Sequence, residues 1–188
     1  ILSDKGMHVV LSTVPVNLRH SAPFLSMTDN TLSPEFSQRV SDLKARAAAQ
    51  SRNLQWRAAS TLWQQAIEID PGHADSHFQL ATSLEWQGDH LGAKRHFERA
   101  LDLDALRFRA DTKINDRIRT VSKDYPSASL SFVDSAAAFD RASTPFPPGW
   151  ESLVEHVHYT FAGNDVLARI FSRAIATQVT GERPQGVL

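Results

Sequence analysis

Hydrophobic positions fall into three regimes along the chain. Residues 7–14, MHVVLSTV, are almost continuously apolar or β-branched, which predicts a short buried strand of the parallel kind. Residues 15–31 hold two prolines, two asparagines and two serines and read as loop. From residue 34 to about 123 the spacing becomes helical. Tyr125-Pro126 breaks that pattern, and residues 129–133, SLSFV, read as a second short strand ending at Asp134. Residues 142–150 form a proline-rich loop. Asn164 then predicts the cap of a last helix, with Val166, Leu167, Ile170, Phe171, Ala174 and Ile175 on its buried face. Residues after Thr180 read as a tail.

The helical regime contains a repeat. Ala59, Trp63, Ala66 and Pro71 recur 34 residues later as Ala93, Phe97, Ala100 and Ala105. His77, Leu80, Ala81 and Leu84 lie between them, where a preceding helix needs its inner face, and Gly88 falls at the turn. Residues 74–105 make one unit, and residues 40–73 make a second whose first helix keeps mainly Leu43 and Ala47. Residues 105–123 are expected to continue as helix with Ala110, Ile114, Ile118 and Val121 on one face. The pattern resembles the tetratricopeptide repeat: small alanines let helices approach, and an aromatic fills the gap between pairs. That resemblance implies a scaffold with a possible protein or peptide partner.

Composition narrows the chemistry. The net charge is −1, which leaves no electrostatic footprint for nucleic acid or an anionic membrane. No apolar run reaches the roughly 20 residues that span a bilayer, so no membrane segment is expected. Without cysteine, thiolate metal sites and cysteine nucleophiles are excluded. The chain opens on Ile1 in mid-pattern and is expected to be part of a longer protein; its compartment stays open.

One stretch carries chemistry: EHVHYTFAGNDVLARIF, from Glu155. An imidazole activates an alcohol when one ring nitrogen is held by a carboxylate and the other faces the nucleophile. A carboxylate three residues upstream reaches Nδ1 of His158 if the intervening chain turns. His156 shares the face of His158 in an extended chain and points elsewhere in a turn. Taken with VVLSTVPVNL and SLSFVDS, this stretch resembles the C-terminal half of an SGNH (GDSL-type) hydrolase. In that family an acid-x-x-His segment after a late strand leads into the last helix. The resemblance implies His158 as general base and Glu155 as the acid that orients it, with an ester as substrate and no cofactor. The usual acid is aspartate, one methylene shorter. The family's Gly-Asp-Ser nucleophile block and its oxyanion glycine and asparagine have no counterpart among these residues. The chain alone is therefore expected to be inactive, with ester substrate bound together with a missing N-terminal half.

The expected fold class is α/β, mostly helical: a partial parallel-sheet SGNH-like core, residues 1–31 and 124–188, interrupted by an all-α tetratricopeptide-type insert, residues 32–123. Asn17 and Arg19 follow the first strand, where open α/β sheets border their ligand crevice, and are the candidate substrate-binding residues. Arg19 reads either as an anion or carboxylate partner or as a solvated loop residue. His156 and His158 also suit a metal pair, with Glu155, Asp134 and Asp140 as further ligands to weigh, but no metal is assigned. His73 and His77 read as packing residues. Arg107, Arg109 and Asp111 are expected to form salt bridges that dock the last helix of the insert. Trp63 is a packing residue, while Trp56 and Trp86 read as core cover or as the wall of a partner groove. Beside the hydrolase reading stands a non-catalytic repeat scaffold.

Overall fold

Helix starts are written into the chain as polar caps. Ser33 accepts the amide of Phe36 at 3.3 Å and Pro34 opens α1 (Pro34–Arg52). Asp89 accepts the amide of Gly92 at 2.8 Å and opens α4 (His90–Leu103). Between them lie α2 (Trp56–Ile69) and α3 (Ala74–Glu85), the latter capped by Nδ1 of His73, which accepts the amide of Ser76. A computed structural model describes residues 7–127 and 129–181. Among them, β1 (Val9–Ser12) and β2 (Leu130–Val133) flank this helical block, followed by α6 (Ser135–Ser143) and α7 (Phe161–Thr180). Helix α5 (Thr112–Asp124) leads from the block into β2. The protein is thus mostly helical with one small sheet. No described helix is long and apolar enough to cross a membrane.

The two strands pair in parallel, with Val9 opposite Leu130 and Ser12 opposite Val133. A parallel pair needs a crossover, and here the crossover is the whole helical block. α1 packs on α2 and α3 on α4 as hairpins, with α2 against α3 between them. The repeat positions meet their counterparts in this packing. Trp63 joins Ala47, Ala59, Ile67 and Leu80 in one buried cluster. Phe97, its equivalent 34 residues on, joins Ala81, Ala93 and Leu101 in a second. Alanines bury no bulk, so the helix backbones approach until the aromatic ring fills what remains. Val16 and Leu18 complete the second cluster, so the loop after β1 shares a core with the helices. His77 is buried on α3; its Nε2 donates to the carbonyl of Pro71 at 3.2 Å, and its ring stacks on His96 of α4.

Three elements differ from the sequence expectation, each for a polar reason. Helix does not run from residue 105; α5 starts at Thr112. The amide of Ala105, which a continuing helix would use internally, donates instead to the carbonyl of Leu25 at 2.9 Å. Asp104 turns its carboxylate to the amides of Phe24, Leu25 and Leu106. Residues 105–111 are therefore consumed in holding the loop after β1. On α5 the one buried residue is not Ile114, Ile118 or Val121 but Asn115. Its side-chain amide pairs with both the N–H and the C=O of Val14, at 2.8 and 3.0 Å, as a neighbouring strand would. Asp134 ends β2 and also caps α6, a helix that its short SAAAFDRAS sequence left unpredicted.

The last helix starts at Phe161, three residues before Asn164. Its cap is Thr160, which accepts the amide of Gly163 at 3.1 Å. Gly163 is its one fully buried residue; the anticipated apolar face is only half-buried, with Ile175 51% exposed.

Asn115→Ala removes both bonds to Val14 and should lower stability by about 1–3 kcal/mol. Urea unfolding followed by circular dichroism measures it; an unchanged midpoint would show that water replaces the amide at no cost.

Candidate functional site

The loop that carries Glu155 is closed by its own backbone. Leu153 and Tyr159 form an antiparallel bridge. The amide of Val154 donates to the carbonyl of His158 at 2.8 Å, and that of Thr160 to Ser152 at 3.1 Å. Leu153 is fully buried and Tyr159 packs on Phe139 of α6, which fixes the base of the loop to the core. Helix α7 crosses so close that a side chain on Gly163 would overlap the carbonyl of Ser152, at 2.1 Å from its Cβ.

Within this turn the Glu155 carboxylate folds back on its own chain. It accepts the amides of His156 and His158, both at 2.8 Å, and of Val157 at 3.4 Å. The same carboxylate holds Nδ1 of both His156 and His158. Desolvation alone would raise the Glu155 pKa, but the amides of His158 and His156 and the His158 imidazole outweigh it and bring it down to about 2. An ionised carboxylate can only accept. A neutral ring must therefore carry its proton on Nδ1 when it meets Glu155, which leaves the lone pair on Nε2. For His158 that nitrogen looks outward: the side chain is 81% exposed and Nε2 bonds to no described residue. The ring of His156 instead lies edge-on against Phe24, 5.1 Å between centroids.

The loop after β1 meets this turn directly. The amide of Asn17 donates to the carbonyl of His156 at 3.1 Å, and the amides of Leu18 and Arg19 both donate to the carbonyl of Pro148. Asn17 is fully buried, and its Oδ1 accepts the amide of His20 at 2.9 Å. It acts on the site by shaping backbone. Arg19 is brought near the same loop but is already paired, with Glu85 at 3.3 Å and Glu151 at 2.7 Å, and its guanidinium lies over the Phe146 ring. At the strand ends, Thr13 donates to Asp134 at 2.8 Å and accepts the amide of Ala136 at 3.0 Å. Arg119 completes Asp134, and its bonds together with those from Thr13 and Ala137 outweigh desolvation and lower the pKa of Asp134 to about 2.

Among the described residues, no three His, Asp or Glu side chains converge as a metal-ligand set. Asp140 is occupied by Lys94 at 2.7 Å. Arg107 and Asp111 form the expected ion pair at 2.7 Å, whereas Arg109 does more than dock a helix. Its guanidinium donates to the carbonyls of Asn17 and Ser21 and pairs with Asp104, inside the protein. The sequence reading passed over Glu151, His20 and Trp150. The signal available was the tryptophan beside Gly149, where a Cβ would lie 2.4 Å from the His20 ring.

The Glu155 carboxyl carbon should show no titration step by ¹³C NMR between pH 7 and 3.5. Its folded pKa is depressed below the unfolded value, so its contribution to loop order is present above about pH 4 and is lost as pH falls toward 2. A midpoint of 4 or above would contradict the geometry. No family model matches the chain, and neither does any curated protein or solved structure.

Proposed function

We propose that this chain carries the acid–histidine half of a serine ester hydrolase of the SGNH type, with the helical hairpins as a tetratricopeptide-like insert. The observation that carries the reading is the Glu155 carboxylate on Nδ1 of His158, with Nε2 left open to solvent. Support comes from placement. The turn is bonded to the loop leaving the carboxyl end of β1, the side of a parallel sheet where ligands bind.

In this reading His158 takes the proton of a serine hydroxyl as it attacks an ester carbonyl. It later returns that proton to the leaving alcohol, and a water repeats the cycle to release the acid. Glu155 keeps the ring in one tautomer and stabilises the imidazolium that forms. Transfer of the acyl group to another alcohol uses the same groups. The serine is supplied by polypeptide other than these residues, since no Gly-Asp-Ser block occurs among them. Asn17 and Arg19 serve substrate binding, Asn17 by fixing the floor of the site and Arg19 through the loop it clamps. The hairpins dock a protein or peptide partner.

The test is ester turnover by the polypeptide that includes the serine. His158→Ala should lower kcat/KM for p-nitrophenyl acetate by about 10³-fold or more with an unchanged circular dichroism spectrum. Near-normal turnover by this variant removes the reading.

A further inference from the structure

A cleft of about 680 Å³ lies where the end of α3 and the α3–α4 turn face residues 146–150 and the loop after β1. Its size falls within the roughly 300–1,000 Å³ of small-ligand sites. Two of its walls are indoles, and both are held from one side. Trp150 stacks on His20, 4.2 Å between centroids and 13° between planes. Trp86 stacks on Trp56 at 5.5 Å and 8°. Yet Trp86 remains 67% exposed and Trp150 62% exposed. Large rings left in water are costly in apolar area, and here each is also fixed in orientation, so the cost of ordering it has already been met. Phe146 continues the apolar lining, with His90 edge-on to it at 4.6 Å.

The polar lining selects among ligands. Arg19 is paired with both Glu85 and Glu151, so an anionic ligand finds no free cation, and the cluster as a whole is one negative charge in excess. Glu85 lines the cleft and keeps carboxylate acceptor capacity beyond its bond to Arg19. An uncharged ligand with flat C–H faces for the indoles and hydroxyls at its edge matches this lining. We propose that the cleft binds a neutral oligosaccharide, stacked on Trp86 and Trp150 and hydrogen-bonded through its hydroxyls to Glu85. The cleft is concave and has polar groups set within it, which favours this ligand over the flat face of a protein partner. The site shares Arg19 with the loop beside the Glu155 turn, but its stacking surfaces are its own and it does not depend on the hydrolase reading.

The experiment titrates the protein with cellohexaose, xylohexaose, maltohexaose and chitohexaose, following tryptophan fluorescence and calorimetry. Trilysine and triglutamate peptides are titrated in parallel. At least one sugar should bind saturably and the peptides should not. Trp86→Ala and Trp150→Ala should each weaken binding by about tenfold or more. Both rings are exposed, so folding should be retained, checked by circular dichroism. Trp150→Phe, which keeps an aromatic face, should restore most of the affinity. The proposal is overturned if no sugar binds, if a charged peptide binds in their place, or if sugar binding survives both alanine variants.

Discussion

The structure depends on a buried cation. Arg109 is 4% exposed, and its guanidinium donates to the carbonyls of Asn17 and Ser21 while pairing with Asp104 at 3.3 Å. Burial lowers the Arg109 pKa and the Asp104 carboxylate works against that shift. A charge is tolerated inside a protein only when paired and hydrogen-bonded. Asp104 uses its other lone pairs on the amides of Phe24 and Leu25. One ion pair thus satisfies both carbonyls and amides of a loop that has no strand or helix to do so. Removing either partner would leave the other buried without its counter-charge, so the two stand or fall together.

From this pair the order passes outward to the candidate site. Arg109 fixes the carbonyl of Asn17, and the amide of Asn17 fixes the carbonyl of His156. The Glu155 turn is therefore tied to the helical block through one residue of the loop after β1. Thr13 and Asp134 tie the same loop to the end of β2. The helical block is in this sense part of the site's support, since residues 104–111 are the part of it that leaves helix to hold the loop.

What the sequence disclosed follows from what is local or periodic. Both strands, the hairpins and the Trp63/Phe97 equivalence were legible because alanine and aromatic spacing directly reflects helix contact. The fold-back of Glu155 onto His158 was legible because a three-residue spacing is closed by one turn. The break at residues 105–111 was not, because its cause is a carboxylate bonded to amides about 80 residues away in sequence. The burial of Asn115 was hidden for the same reason: a polar residue on an apolar helix face reads as exposed until its strand partner is known. Thr160 as the cap of α7 could have been found from the Thr-x-x-Gly step, but Gly-Asn drew the boundary four residues late. The partners of Arg19, at residues 85 and 151, are again nonlocal.

The central claim is that Glu155 holds a proton on Nδ1 of His158 and leaves Nε2 as a base. A long-range ¹H–¹⁵N correlation spectrum, taken where the ring is neutral, reads the tautomer directly. The account predicts a pyrrole-type Nδ1 and a pyridine-type Nε2 for His158, and loss of that pattern in Glu155→Gln. A proton on Nε2, or the averaged tautomers of a free imidazole, would contradict it.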